Sequence, residues 1–311
     1  MNEVFFRASQ DALDNITSVF DFVHPLTASM KFTGDKVAEL HKKGKAADEI
    51  AAIIDPTHSV HGANYTRAFV ETAWSEQEEK LAWLLLNNLF AIHEGWVQRL
   101  FDETFKTLSF DERDFTKKLE STKLNSSLKH FFVPTATKSS LMVKSFYPVY
   151  KRNCALDFGK LDNYMLCYRY FKEARNCYMH RNCIASKKLM KAYKAFISKA
   201  TTSDLDVSEV PIVLPPTLGN PVRLSLRGVI GFSQIVQRII TLSDINLMCS
   251  MAAEKELAER VPQNWRKRTF SANQAAAAGQ ANSYARKAGF IGADWSTEYR
   301  DYLLSKKKLN I

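Results

Sequence analysis

The stretch Glu173-Ala-Arg-Asn-Cys-Tyr-Met-His180 places an arginine and a histidine five residues apart inside a pattern of helical spacing. Apolar residues recur at that spacing before it, at Leu166, Tyr170 and Phe171. The same period returns after it, from residue 189 to residue 197. The pattern predicts one long helix with a break near Asn182.

The polar residues of this stretch divide between two faces of the predicted helix. At 100° per residue, Asn176 and His180 fall one turn apart on one face, while Arg175 lies about 140° round from His180. A long guanidinium can still reach toward the imidazole. Arginine fits phosphate oxygens and histidine titrates near neutral pH, so the pair is suited to cleaving a phosphodiester without a metal.

Arg175-Asn176-x-x-x-His180, preceded by Glu173, resembles the RNxxxH signature of the HEPN superfamily (higher eukaryotes and prokaryotes nucleotide-binding domains). The apolar run 84–100 is similar to the long helix that precedes the motif in many members, and it carries an acid, Glu94. This resemblance covers roughly residues 66 to 250. It implies an all-α helical bundle and a metal-independent endoribonuclease of toxin or anti-phage type, working as a homodimer with two motifs across one groove.

The resemblance also implies a role for each residue of the motif. His180 would act as general acid or base on the 2'-hydroxyl or the leaving oxygen, and Arg175 would stabilise the charge on the phosphorane. Asn176 would hold the imidazole or a phosphate oxygen, and either of two glutamates would position the arginine. The supporting residues are Glu173, Glu94 and Tyr178. The expected products carry a 2',3'-cyclic phosphate.

RNA, either tRNA or mRNA, is the expected partner, together with a second copy of the chain and an antitoxin or defence-system protein. Two other functions stay open. One is a HEPN-like protein that binds RNA or a partner toxin without cleaving, and the other is a helical interaction scaffold. The plainest alternative makes Arg175 a solvated helix residue and His180 a satisfied core or interface histidine.

The formal charge of +10 indicates a polyanionic partner. From residue 260 to residue 311 there are ten Lys or Arg and three Asp or Glu. Between residues 135 and 157 cations alternate with aromatic rings, which suits single-stranded RNA, although an ordinary connecting helix has the same composition. The expected RNA-binding residues are Lys144, Lys151, Arg152, Arg181, Arg266, Lys267 and Arg268.

Composition excludes several classes of protein. No apolar run reaches the roughly 18 residues of a membrane helix, and residues 1–7 do not resemble a secretory signal. The five cysteines form no CxxC pair, which argues against a zinc site and indicates a reduced, cytoplasmic location. No Gly-rich phosphate loop is present, which disfavours ATP or dinucleotide chemistry, so no cofactor is expected. The sequence offers no coherent cluster of metal ligands, so no metal is expected either.

The domain prediction has three parts: an N-terminal helical segment over 1–65, a HEPN-like helical domain over 66–260, and a basic C-terminal extension over 261–311. Short β-branched runs around Pro and Gly-Asn predict a small hairpin or an extended loop near 210–226. The rest of the pattern is helical, which predicts an all-α bundle.

Three further helices are predicted from apolar periodicity, over 11–22, 35–54 and 111–132. Because proline lacks a backbone N–H, Pro25 and Pro56 are expected to end the first two. The strongest helical run extends from residue 67 to residue 106 with an interruption near Ser75. Its broad apolar face is that of a central bundle helix.

Overall fold

The computed structural model describes residues 4–57, 59–102, 138–260, 271 and 273–308. The predicted helix over 111–132 and the cations Arg266, Lys267 and Arg268 lie outside these residues. In chain order the α-helices are α1 (Arg7–Lys42), α2 (Ala47–Ile54), α3 (Trp74–Leu100), α4 (Tyr147–Asn153), α5 (Leu161–His180), α6 (Lys187–Ile197), α7 (Thr202–Leu205), α8 (Leu226–Leu247), α9 (Met251–Arg260), α10 (Gln274–Lys287) and α11 (Thr297–Lys308).

The predicted all-α bundle is confirmed: within the described ranges the chain forms long helices and only two isolated β-bridges. Helix α8 lies at the centre, where it packs against α3, α5 and α1. Its side chains are buried on nearly every side, as a helix that is apolar all round requires. Of the helices described, none is long and apolar enough to cross a membrane.

Stacked aromatic rings join the three central helices. Phe232 of α8 lies 4.4 Å from Phe171 of α5 and 5.6 Å from Phe90 of α3, measured between ring centroids. Tyr168 of α5 contacts Phe90 edge to face. Ring pairs of this kind contribute about 0.5–1.5 kcal/mol beyond the area they bury, so they fix α5 firmly against its neighbours.

The prediction that Pro25 ends a helix is wrong, because α1 runs unbroken from Arg7 to Lys42 with the proline inside it. Proline removes the hydrogen bond to the carbonyl four residues earlier, here that of Asp21. Asp21 is exposed in the structure, so water can satisfy that carbonyl. Pro56 does follow the end of α2 at Ile54, as predicted.

Residues 207–225 form an extended loop rather than a hairpin. The loop pairs with the connection between α5 and α6: Ile184 bridges to Pro221, and the Val222 N–H donates to the Cys183 carbonyl at 2.8 Å. This pairing fixes the position of the chain that leaves the motif helix.

A second feature ties distant parts of the chain together, and we call it the terminal cluster: Phe5, Phe6, Asp244, Arg260 and Phe290. The N–H groups of Phe5 and Phe6 donate to the buried Asp244 carboxylate at 2.5 and 3.0 Å. Arg260 donates to the Phe5 carbonyl at 2.6 Å and lies 3.9 Å from the Phe290 ring. The cluster therefore joins residues 5–6 to the C-terminal helices.

Candidate active-site cleft

Helix α5 ends at His180 because the next residues leave helical geometry. Asn182 and Cys183 both have left-handed backbone conformations, with φ of 48° and 64°. The Cys177 carbonyl accepts hydrogen bonds from the N–H groups of Arg181 and Cys183, both at 3.0 Å. Asparagine tolerates this conformation better than most residues, so the predicted break near Asn182 is confirmed. The break places His180 in the last turn, at an open helix end.

Helix α6 begins close to that end. The Ser186 hydroxyl caps it by accepting from the Leu189 N–H at 3.1 Å. The Ala185 N–H donates to the Asn220 carbonyl at 2.9 Å, which holds the loop over 207–225 beside the connection. Two helix ends and one loop therefore converge on a single point of the surface.

An open cleft of about 810 Å³ lies at this point. Asn176 and His180 both line it, so the residues predicted to share one face of α5 do so. His180 is exposed, as an accessible acid or base requires. The full lining is Glu173, Asn176, Cys177, His180, Arg181, Ser186, Lys187, Lys188 and Leu218.

Arg175 does not line the cleft. Its Nη1 lies 3.6 Å from the Glu94 carboxylate of α3, and its guanidinium carbon lies 5.9 Å from the Phe90 ring. Its Nε is buried without a hydrogen-bond partner among the described residues. Within one copy of the chain, the arginine and the histidine of the motif therefore face different neighbours.

The supporting residues also divide between the two faces. Glu94 is the acid in contact with Arg175, whereas Glu173 lines the cleft. Tyr178 stacks on Trp83 of α3, with ring centroids 4.5 Å apart and planes 16° apart. This stack attaches the last turn of α5 to α3, so the position of His180 depends on α3 as well.

The histidine that precedes Glu94 is a structural element that the sequence did not reveal. His93 is fully buried, and its Nδ1 lies 3.1 Å from the Tyr168 hydroxyl. Burial, with Lys172 nearby, lowers the pKa of His93 to about 3, so the ring is neutral. In the sequence, His93 is recognisable only as a polar residue that interrupts an apolar run.

The cysteines at the cleft are poorly suited to act as nucleophiles. Cys177 is buried, and burial raises the pKa of the Cys183 thiol, which disfavours the reactive thiolate. The described ranges contain no group of three or more His, Cys, Asp or Glu side chains able to hold a metal ion. The charged and polar residues at the cleft are those of the motif, its cationic neighbours and Ser186.

Of the four cations predicted to bind RNA that the structure describes, three are engaged elsewhere. Lys144 pairs with Glu298, and Arg152 makes two hydrogen bonds to Asp294 at 2.7 and 2.9 Å. Lys151 lies 5.8 Å from the Tyr147 ring. Arg181 is the member of the predicted set that lines the cleft.

Sequence reasoning missed a cationic segment that surrounds the site. Residues 174–203 contain seven Lys or Arg and no Asp or Glu. These seven are Arg175, Arg181, Lys187, Lys188, Lys191, Lys194 and Lys199. Counting charge along the chain in windows of 30 residues would have revealed the segment.

Comparison of the chain with models of known protein families, with curated proteins and with solved structures finds no match.

Proposed function

We propose that this protein is a metal-independent endoribonuclease of the HEPN type, acting as a toxin or anti-phage effector. The observation that supports this most directly is the cleft itself. An exposed histidine and an asparagine from one face of α5 line an open space whose other charged side chains are mainly cations. That combination suits a ligand that carries phosphates and reacts by proton transfer.

In the proposed reaction, the 2'-hydroxyl of the RNA attacks the adjacent phosphorus while His180 takes its proton. The bond from phosphorus to the 5' oxygen breaks, and that oxygen takes its proton from the His180 imidazolium formed in the attack. The products are a 2',3'-cyclic phosphate and a 5'-hydroxyl. Asn176 lies one turn before His180 and donates to a phosphate oxygen, while Arg181 and Lys187 hold the phosphates at the rim of the cleft.

The position of Arg175 supports a homodimer in this proposal. On the motif helix and on α3, against which its last turn packs, three large apolar side chains are solvent-exposed in one copy of the chain: Leu84 at 66%, Met179 at 51% and Tyr178 at 38%. Pairing two copies through this face covers those side chains and brings two motif helices together. Each Arg175 then lies at the boundary between copies, where it can serve a phosphate bound at either cleft.

The substitution Leu84→Glu tests this dimer. Its side chain is mostly exposed, so the substitution should leave the fold of one copy intact. We expect it to place a charge inside the interface and to shift the protein from dimer to monomer in sedimentation equilibrium. Ile53→Glu on α2, which likewise replaces an exposed apolar residue with a charge, is the matched control. A wild-type protein that is monomeric at all concentrations would contradict the dimer.

The nuclease itself is tested with purified protein and total RNA in EDTA. We expect cleavage to continue under chelation and to stop in His180→Ala, while His61→Ala, which removes another exposed histidine, stays active. The product ends should carry 2',3'-cyclic phosphate. Activity that requires added Mg²⁺ would overturn the metal-independent mechanism. Products with 5'-phosphate and 3'-hydroxyl ends would also overturn it, because water would then be the nucleophile.

One observation favours a second candidate, a protein that binds RNA without cleaving it. In a single copy the Arg175 guanidinium pairs with Glu94 rather than pointing into the cleft. If the chain does not dimerise, the cleft lacks the group that would stabilise the charge on the phosphorane. RNA binding by a monomer, without any cleavage, would support this candidate.

A further inference from the structure

Helix α6 presents cations on the side opposite to its buried side. At 100° per residue, Lys187, Lys191 and Lys194 lie within about 60° of one another. All three are exposed. The buried residues Leu189 and Phe196 point about 180° away, into the core. We call the three lysines the basic face of α6.

No acidic side chain pairs with this face in the described part of the chain. Every ion pair seen there involves other cations, such as Lys31 with Asp35 or Arg227 with Glu209. The sequence explains this, because no Asp or Glu occurs between Glu173 and Asp204. An unpaired cation keeps its full charge available for an external anion.

The basic face continues directly from the cleft. Lys187 belongs to both, since it lines the cleft beside His180 and begins the row of lysines. From Lys187 to Lys194 the helix rises about 10 Å, at 1.5 Å per residue. A stacked nucleic-acid strand carries one phosphate per roughly 3.4 Å, so about three phosphates fit along this row.

The size of the cleft determines what must happen outside it. A cleft of about 810 Å³ holds a ligand of drug-like dimensions, which corresponds to one or two nucleotides. The rest of a bound strand therefore lies on the surrounding surface. Of the two helices that meet at the cleft, α6 carries the row of unpaired cations.

We propose that the basic face of α6 binds the sugar-phosphate backbone of a single RNA strand and guides that strand into the His180 cleft. This inference rests on the proposed ribonuclease function, since it assigns RNA to the same cleft. It adds the path of the strand and the residues that hold it. Because contacts to phosphates carry no base information, this face contributes affinity and register rather than sequence preference.

The test measures binding separately from cleavage. The full chain carrying His180→Ala is titrated with a fluorescent single-stranded RNA of 20 nucleotides at several salt concentrations, with and without Lys191→Gln and Lys194→Gln together. Each single-strand phosphate contact contributes about 0.7 to the slope of log affinity against log salt. Removing two contacts should reduce that slope by about 1.4 and weaken binding at low salt.

The matched control is Lys31→Gln with Lys36→Gln on α1. It removes the same two charges, and both lysines are paired with carboxylates there, at 3.0 and 3.1 Å. We expect the control to keep the original salt slope. An equal loss of slope in both double variants would show a general charge effect and overturn the inference.

The outcomes also separate this inference from the proposed function. If the protein cleaves RNA but the α6 variant keeps its affinity and slope, the strand follows another path and the inference fails alone. If RNA binds through α6 but is never cleaved, the inference holds and the nuclease proposal fails. Binding to phosphatidylserine vesicles without binding to RNA would overturn the inference, since the face would then serve a membrane surface.

Discussion

The cleft and the terminal cluster both use cations, but they use them in opposite ways. Around the terminal cluster, Arg260 donates to two backbone carbonyls and Arg152 pairs with Asp294. Around the cleft, Lys187 and Lys194 have no acidic partner in the described ranges. Cations of the first kind hold the chain together, and cations of the second kind are available to an external anion.

The difference teaches that local composition is a poor guide to which cations are free. Residues 135–157 look suited to RNA because cations alternate with rings, yet the acids that pair with Lys144 and Arg152 come from 142–154 residues further along the chain. No local pattern reveals such partners. The α6 lysines, by contrast, are unpaired for a reason visible in the sequence, which is the long interval without acids.

The largest expected effect is the loss of RNA cleavage when His180 of the cleft is replaced. His180→Ala should lower the rate of RNA cleavage by about 10²–10⁴-fold, the usual contribution of a general acid or base. Because His180 is exposed, the melting temperature should stay close to that of the wild type. Cleavage assays and thermal melts on the same preparation check both expectations. A variant that melts far earlier would indicate a structural histidine instead.

On the other side of the comparison, Asp244→Ala should destabilise the fold strongly. It leaves the buried N–H groups of Phe5 and Phe6 without an acceptor. Unsatisfied buried groups cost about 1–3 kcal/mol each, so we expect the unfolding free energy measured in urea to fall by roughly 2–6 kcal/mol. The control Asp21→Ala, an exposed aspartate of α1, should change stability little. An equal response of both variants would remove Asp244 from its proposed structural role.

The terminal cluster should also respond to pH. Burial raises the pKa of Asp244 to about 7, from an ordinary value of 3.8. Between these values the folded state holds a proton that the unfolded state has lost, so stability falls as pH rises from about 4 to 7. Relative to Asp244→Asn, the unfolding free energy should fall by at most about 1.4 kcal/mol per pH unit there.

Comparing the two proteins at each pH isolates this effect. His93 acts in the opposite direction, because burial lowers its pKa to about 3. Below pH 6.5 the unfolded state binds a proton that the folded state does not, so this residue lowers stability as pH falls. That contribution is common to both proteins and cancels. A difference between them that stays constant from pH 4 to pH 8 would contradict the raised pKa of Asp244.

The smallest effect is expected for Arg152→Ala. The two hydrogen bonds to Asp294 are exposed, and exposed ion pairs contribute little. We expect the melting temperature to fall by no more than about 2 °C and RNA affinity to stay unchanged. Differential scanning calorimetry and the RNA titration test the two parts. A large loss of RNA affinity would show that Arg152 contacts RNA despite its pairing with Asp294.

The sequence predicted the features that depend on neighbouring residues. Helical periodicity gave the all-α class, and the break after His180 occurs where Asn182 adopts a left-handed conformation. The separation of Arg175 from His180 follows from the 100° rotation per residue. The prediction that Pro25 ends a helix was wrong. The cost of a proline inside a helix depends on whether water can reach the carbonyl four residues earlier, and that is a property of the tertiary structure.

Features that join distant parts of the chain could not be predicted. Glu94 was one of two acids expected to position Arg175, and only the packing of α3 against α5 distinguishes it from Glu173. The convergence of α5, α6 and the 207–225 loop on one cleft also depends on packing between distant parts of the chain. Such contacts depend on the whole fold, so a helical wheel cannot show them.

The terminal cluster also sets the order in which the chain can mature on the ribosome. Phe5 and Phe6 are synthesised 238–239 residues before Asp244, the acceptor of their N–H groups. At about 5–20 residues per second, these two aromatic residues wait at least about 12 seconds before their partner is made. The terminal cluster therefore forms late in synthesis, and until then these two aromatic side chains lack the residues that bury them in the folded protein.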